Sequence, residues 1–299
     1  MRKIIGFFLG ITIVSFLFCE EFILEQGKNK LELDYIPKRI ATDSAIVTRV
    51  LDVMQIDLVG APVSMTKIPD RYNEVTKIGR AGAPDYEIMK NLNLDLVIST
   101  TFAEFSTAER YKQLGIPVFY IDLESYEASK KSLKMLGLAF QKEDISNNLL
   151  KDIEKREKII INKAQKQKPK RIAVLYNLDS TVSIISKDHF VSELISKINC
   201  INVSNEVEGK VNNRAKIIPF SVEKLVYLNP DYILKIAPDE LKNDLLKDNE
   251  LLKVTNAYKN NKILNISSTL FRMSSGVNGI EALEELYKIV YEEQEIKWR

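Results

Sequence analysis

The chain has 299 residues, of which 45% are apolar and 28% charged, with a formal net charge of +2 and two cysteines. Such a composition is that of a soluble globular protein long enough for two cores, and the near-neutral balance excludes nucleic acid as the main partner. With Cys19 placed at the end of a leader, Cys200 is left unpaired, which excludes a disulfide framework and predicts a small buried apolar role for it.

Arg2 and Lys3 precede an apolar run of about fifteen residues, Ile4 to Phe18. That is the length of a secretory signal and is short for a membrane span. Cys19 follows at once, then Glu20 and Glu21. Residues 1–19 therefore read as a signal peptide of the lipoprotein kind, with lipid carried on Cys19. Phe18 departs from the small residue that such leaders prefer before the cysteine. The mature protein is expected to be exported, periplasmic or at the outer face of the cytoplasmic membrane. Its only membrane attachment would be a lipid anchor.

In chain order, Arg39 to Thr42 is predicted to open a strand. Ser44 to Met54 reads as a helix with Ile46, Val50, Leu51 and Met54 on one face. Asp57 to Gly60 is a short strand, and Val63 to Lys77 is irregular. Ala83 to Ile98 reads as a short helix, a tight turn and a buried strand. A helix around Glu104 to Gln113, a strand Pro117 to Ile121 and a helix Ser129 to Phe140 follow. The stretch Glu143 to Gln167 has no Gly or Pro, and Ile145, Leu149, Ile153, Ile160 and Ala164 recur at helical spacing. It predicts one helix of about 25 residues, roughly 37 Å long. Beyond it come strands at Arg171 to Tyr176 and Val182 to Ile185, with a turn at 177–180 between them. A helix at Phe190 to Ile198, another at Leu241 to Leu252, a strand at Lys262 to Ile266 and a closing helix at Val277 to Glu292 complete the chain. Strands alternating with helices on short loops predict an α/β fold with parallel sheet and helices on both faces.

The chain also repeats itself. Pro37 to Ala41 recurs letter for letter as Pro169 to Ala173, an offset of 132 residues. Further on, Glu87, Leu92, Asn93 and Asp95 recur as Glu223, Leu228, Asn229 and Asp231, an offset of 136. Two repeats in the same order predict two lobes on one plan. Their expected bounds are 20–142 and 168–299, with 143–167 as a rigid connecting helix. The basic run Lys163 to Lys170 reads as a solvated helix C-terminus, where the helix dipole favours cations.

These features together resemble the helix-linked substrate-binding proteins of ABC importers for iron–siderophore, heme and cobalamin. The carrying motif is Glu223 to Ile233, with its copy at Glu87. Lys67 to Gly79 and Phe271 to Val277 are similar to the heme-receptor lipoproteins of iron-regulated surface heme uptake. The resemblance runs from about residue 37 to the end. It implies two Rossmann-like lobes joined by one long α-helix, the class III arrangement, with little movement on binding. It also implies capture of heme or a ferric siderophore in the inter-lobe cleft and delivery to an ABC permease with its ATPase. The protein would be a monomer with no intrinsic cofactor. A cobalamin-binding protein of the same class, or a heme-scavenging lipoprotein without a permease, are the alternatives.

The resemblance carries over two docking carboxylates, Glu87 and Glu223. Physically they would give a two-point electrostatic dock. The ligand would lie at the C-terminal ends of the strands, against Thr42 to Ser44, Ala61 to Met65, Arg80 to Ala83, Thr100 to Phe102 and Leu123. From the second lobe the expected loops are Tyr176 to Leu178, Lys187 to Phe190, Arg214 to Ile217, Lys235 to Ala237 and Thr269 to Met273. Arg80, Arg214, Lys235 and Arg272 fall in these loops and suit an anionic ligand. The resemblance places the family's iron-ligating positions on Gly82 and on or next to Pro238, and neither Gly82 nor Pro238 can ligate iron through a side chain. Heme iron would need His189, Met273, Met65 or Tyr86 instead, and Tyr176 is a further cleft candidate. His189 is the single histidine, too few for a zinc receptor. No P-loop, dinucleotide fingerprint, nucleophile elbow or zincin motif is present, so no enzyme is expected.

Overall fold

The computed structural model describes residues 21–64, 66–178, 181–212, 216–236, 249–271 and 276–292. The leader with Cys19, and Met65, Arg214, Pro238, Arg272 and Met273, lie outside the described residues. Among the described residues no helix is long and apolar enough to cross a membrane.

The chain opens with a hairpin that sequence reading left unassigned, β1 (Phe22–Gln26) and β2 (Asn29–Leu33). Then come β3 (Ile40–Ala41), α1 (Ala45–Val53), β4 (Gly60–Ala61), β5 (Thr76–Lys77), and the small hairpin β6 (Gly79–Arg80) and β7 (Ala83–Pro84). Next are α2 (Tyr86–Asn91), β8 (Leu96–Thr100), α3 (Thr101–Leu114), β9 (Val118–Ile121), α4 (Tyr126–Ala139) and α5 (Glu143–Ala164). The second half holds β10 (Arg171–Leu178), β11 (Thr181–Ile185), α6 (Phe190–Lys197), β12 (Ile201–Asn202), β13 (Ile217–Pro219), α7 (Val222–Leu228) and β14 (Tyr232–Ile236). It ends with α8 (Asn256–Lys259), β15 (Ile263–Ile266), α9 (Ser268–Phe271) and α10 (Gly279–Tyr291).

Two separate sheets result, one in each lobe. The first runs β5-β4-β3-β8-β9 and is wholly parallel. The second runs β13-β11-β10-β14-β15, with β12 beside β10. Here the expectation of a parallel sheet needs correction, because β10–β11 and β11–β13 are antiparallel. The connection from Leu178 to Thr181 is short, and so short a link joins only antiparallel neighbours. The predicted helix at 241–252 also differs. Its described end, Glu250–Val254, is a 3-10 turn opened by Asn249, whose side chain accepts from the Leu251 amide. The long helix α5 ends at Ala164, after 22 residues. Pro169 disfavours helical backbone at residue 168, and the chain leaves the helix shortly before it.

The register of the two sheets explains the internal repeat. Ile40 and Ala41 pair with Leu96 and Val97, as Ile172 and Ala173 pair with Tyr232 and Ile233. Asp95 accepts the amides of Lys38 and Arg39 at 3.0 and 2.9 Å, and Asp231 accepts that of Arg171 at 3.0 Å. Each arginine side chain then reaches back to the helix before the strand. Arg39 donates to the Leu92 carbonyl at 2.8 Å, and Arg171 to that of Leu228 at 3.1 Å. Asn93 and Asn229 both sit in the left-handed region, φ +45° and +42°. Asparagine tolerates that turn better than most L residues. Arginine, asparagine and aspartate thus recur because one helix–turn–strand joint is built twice.

Helix α5 is fastened to both lobes. Arg156 reaches α10 through Glu284, at 2.9 and 2.7 Å, and Glu281, at 3.1 Å. The next residue, Glu157, accepts from Lys130 of α4 at 3.0 Å and Lys197 of α6 at 2.7 Å. Glu127 closes the ring, 2.9 Å from each lysine. Burial works against ionising Glu127, but the hydrogen bonds from Lys130 and Lys197 outweigh it and hold its carboxyl below the ordinary value. Both ammonium groups lie 5.0 Å from the Tyr126 ring centroid, and Glu193 accepts the Tyr126 amide at 2.8 Å.

Helices α4 and α5 cross closely at Gly137. A Cβ there would lie 2.6 Å from the Ser146 Cβ, so both helix backbones must shift to admit it. Gly137→Ala is expected to destabilise the fold by about 1–3 kcal/mol. A urea midpoint equal to that of the parent protein would contradict the close crossing. Cys200 is half-buried, with its sulfur 3.1 Å from the Tyr291 hydroxyl, and burial pushes its thiol pKa up.

Candidate functional site

The site forms where both sheets end. Parallel strands point their C-terminal ends at the same edge, and the helices that follow start there. Ser44, Ala45 and Ile46 begin α1, Thr100 to Phe102 begin α3, and His189 and Phe190 begin α6. Together they line a cavity of about 330 Å³. Arg49, Thr66, Ala81, Leu123, Glu124, Lys216, Ser268 and Thr269 also line it. The cavity therefore takes residues from both lobes. Ile46, Phe102, Leu123 and Phe190 make much of it apolar. The positive ends of three helices of eight or more residues face it, which favours negative charge in the ligand.

Most wall residues lie in the loops singled out from sequence, but the charged ones differ. Arg80 is exposed on β6, and its neighbour Ala81 lines the cavity in its place. Lys235 is buried within β14 and is not part of the wall. Among the described residues the cations in the wall are Arg49 and Lys216. Arg49 lies three and four residues after Ile46 and Ala45, on the same side of α1. The core face of α1 carries Val47, Val50 and Leu51. Period places Ile46 on the core face with Val50 and Leu51, whereas it lines the cavity with Arg49. Lys216 lies 3.6 Å from Glu124, which accepts from Thr101 at 2.9 Å.

His189 is buried at the start of α6, and its Nδ1 accepts the Val191 amide at 3.2 Å. Its ring stacks on Phe190, with centroids 5.1 Å apart, and meets Tyr176 edge-on at 5.9 Å. Tyr176 is buried behind it and is not in the cavity wall. Because Nδ1 accepts, the neutral ring carries its proton on Nε2. Ligating iron through Nε2 would require that proton to move and the helix cap to be given up. Tyr86 begins α2, 5.6 Å from the Tyr111 ring, with the Arg110 guanidinium 5.7 Å from its own. It lies outside the wall, and burial pushes its hydroxyl pKa up, which opposes a tyrosinate. Beneath the first lobe's loops, Asp43 is buried and receives the Ser99 hydroxyl at 2.7 Å. Burial pushes its carboxyl up, against that hydrogen bond. Among the described residues no group of three His, Cys, Asp or Glu is arranged to hold a metal.

Glu87 and Glu223 are exposed near the starts of α2 and α7, away from the cavity. The backbone amide of Glu223 and the Ser221 hydroxyl keep the Glu223 carboxyl below its ordinary value.

The sequence profile of the periplasmic binding proteins matches residues 40–270. The chain belongs to the periplasmic binding protein family. This periplasmic binding protein is 26% identical over 293 residues to the high-affinity heme uptake system protein IsdE of Staphylococcus aureus strain Newman, covering 96% of this chain and 97% of that one. Among solved structures, S. aureus IsdE complexed with heme superposes with a TM-score of 0.73 at 27% identity, over 85% of this chain and 98% of that one. An ABC transporter substrate-binding protein from Listeria monocytogenes EGD-e gives a TM-score of 0.75 at 25% identity, over 86% and 99%. The family binds ligands and is not a family of enzymes. Two α/β lobes joined by one long helix are the architecture of this chain.

Proposed function

We propose that this binding protein captures a heme-type iron compound in the inter-lobe cavity, outside the cytoplasm, and hands it to an ABC permease. The carrying observation is the cavity itself. At about 330 Å³ it reaches the size range of small-molecule sites, and its apolar walls come from opposite lobes, with Arg49 and Lys216 among the lining residues. A flat apolar ring with anionic substituents suits such walls. The likeness to a heme uptake protein over nearly the whole chain supports the same reading. On this reading Cys19 carries the lipid that keeps the protein at the membrane.

A visible absorption titration of the leaderless protein with hemin tests this. The expected result is a Soret band that saturates at one equivalent. Retention of that band in His189→Ala is expected as well, since His189 meets the cavity as an N–H donor and cap. A flat difference spectrum would overturn the heme reading and turn attention to ferric siderophores.

A further inference from the structure

Asp43 stands directly behind the first lobe's share of the cavity wall. It lies between β3 and the wall residue Ser44 and is 1% exposed. Its Oδ1 receives the Ser99 hydroxyl at 2.7 Å, which ties the loop that opens α1 to the strand that leads into α3. Its Oδ2 is buried without a hydrogen-bond partner, and among the described residues Asp43 makes no ion pair. A buried charge with so little compensation is costly, and a carboxyl escapes the cost by keeping its proton. Burial accordingly pushes the Asp43 carboxyl up, against the Ser99 hydroxyl and the Gly82 amide. The titratable groups that face it are Tyr86 of α2, Tyr111 of α3 and Tyr120 of β9, and burial pushes all three hydroxyls up as well. They stay neutral wherever a carboxyl titrates. The nearby cations are engaged or turned away: Arg49 bonds to Thr66 and Lys67, Arg110 lies over the Tyr86 ring, and Arg80 is exposed. Asp43 is therefore the member of this cluster that changes charge. Helices α1 and α3 start in front of it, and neither Ser44 nor Thr100 caps its helix with its side chain. The first amides of both helices are left for an anion in the cavity. A carboxylate at residue 43 would sit behind those amides and repel that anion, whereas the neutral acid does not.

We infer that Asp43 is a positioning residue that stands as a neutral acid behind the starts of α1 and α3, holds an anionic ligand there while it keeps its proton, and loosens it on ionising. The inference rests on the cleft being the ligand site. When the pH rises, the proton leaves the Asp43 carboxyl for solvent, the wall behind both helix starts turns negative, and affinity falls. By linkage the bound anion makes Asp43 hold its proton more tightly. The same acid marks the folded state. In the unfolded chain it ionises at about pH 4, so the parent protein loses stability as pH rises from there until the folded carboxyl ionises too, and stability changes no further on this account above that point.

The test compares the leaderless protein with Asp43→Asn, which keeps the shape of the neutral acid and cannot ionise. Asp43→Ser is a second neutral variant, and failure of both to fold would overturn the inference, because a neutral side chain should suffice. Urea unfolding across about pH 4 to 8 needs no ligand. The unfolding constant of the parent should rise relative to that of Asp43→Asn by about tenfold per pH unit until the folded acid ionises. A ratio that does not change with pH would overturn the neutral acid. Hemin affinity is then measured over the same range. The two proteins are expected to bind alike at the acid end, and the parent about tenfold more weakly once Asp43 has ionised. His189 and the ligand's own carboxylates titrate in both proteins, so the ratio isolates Asp43. Equal affinities at every pH would overturn the positioning role and leave the heme reading intact. Loss of hemin binding at every pH in Asp43→Asn would overturn it as well, since the neutral form would then not be the binding form. If the parent binds no hemin at any pH, the heme reading fails, and the same ratio is read with ferric citrate. Weaker ferric citrate binding by the parent at the alkaline end supports Asp43, and equal or absent binding in both proteins overturns it.

Discussion

Glu157→Ala is expected to destabilise the protein by about 3 kcal/mol, the low end of what breaking a buried ion pair costs when one partner is removed. The side chains of Glu157, Lys130 and Lys197 are 11, 18 and 19% exposed, so water replaces the lost carboxylate only in part. Two ammonium groups, both near the Tyr126 ring, would then share only Glu127 as a partner in the cluster. Glu127 is the more exposed carboxylate, and solvent screens it more. Urea unfolding of the parent and variant proteins at low ionic strength reads the difference directly. Replacing the three charged residues together, as Lys130→Met, Glu157→Leu and Lys197→Met, is expected to recover most of the loss, because the unpaired charges go with their partner. A change in Glu157→Ala below about 0.5 kcal/mol would mean that the ring behaves as an ordinary surface cluster. The cluster also matters for the cleft. It ties α4 and α5 to α6, and the first residues of α6, His189 and Phe190, are part of the cavity wall. Loosening the ring therefore loosens one side of the site, and hemin affinity should fall alongside stability.

Elements with strong local signals were legible without coordinates. The apolar period of 143–167 marked α5, and the alternation of short buried runs with amphipathic stretches marked most of the first sheet. The paired repeats marked the residues that build the β3–β8 and β10–β14 joints, but not which strands pair there. What remained hidden depends on contacts distant in sequence. The β1–β2 hairpin holds its place because Gln26 bonds to Asp122 and Ser132 and because Phe22 meets Phe140 with centroids 4.9 Å apart. Nothing within residues 21–36 announces those partners. The antiparallel direction of β11 follows from its short link to β10, whereas β13, three residues long, carries no local strand signal. At the site, the loops were legible from the rule that parallel strands end on one edge, whereas the charged residues were not. Arg80 and Lys235 looked like cleft cations because their loops face it, but one points to solvent and the other is buried within a central strand. Arg49 and Glu157 sit on helices, where a charged residue ordinarily faces water, and only the packing of a second lobe against them encloses them.

Glu87→Ala with Glu223→Ala is expected to lower ligand transfer to a reconstituted permease at least tenfold, while hemin affinity and the urea midpoint stay close to those of the parent protein. The repeat motivates this by subtraction. Leu92, Asn93 and Asp95, with Arg39, build one joint, and Leu228, Asn229 and Asp231, with Arg171, build its copy. Glu87 takes no part in that joint and has no ion-pair partner among the described residues. Glu223 is held only by its own helix start. A carboxylate kept at matching places in two lobes, with no work inside either, is suited to a partner that touches both. Tyr227 lies one turn after Glu223 on α7 and is 89% exposed, so that face also offers the kind of aromatic that anchors interfaces. Truncating one partner of a desolvated interface charge pair costs about 2–5 kcal/mol, enough for the tenfold fall from either site alone. Exposed glutamates away from the core contribute little to folding, and neither touches the cavity, which is why affinity and stability serve as the controls. Undiminished transfer in the double variant would remove both carboxylates from the dock. A fall in transfer matched by an equal fall in hemin affinity would place their effect in the ligand site instead.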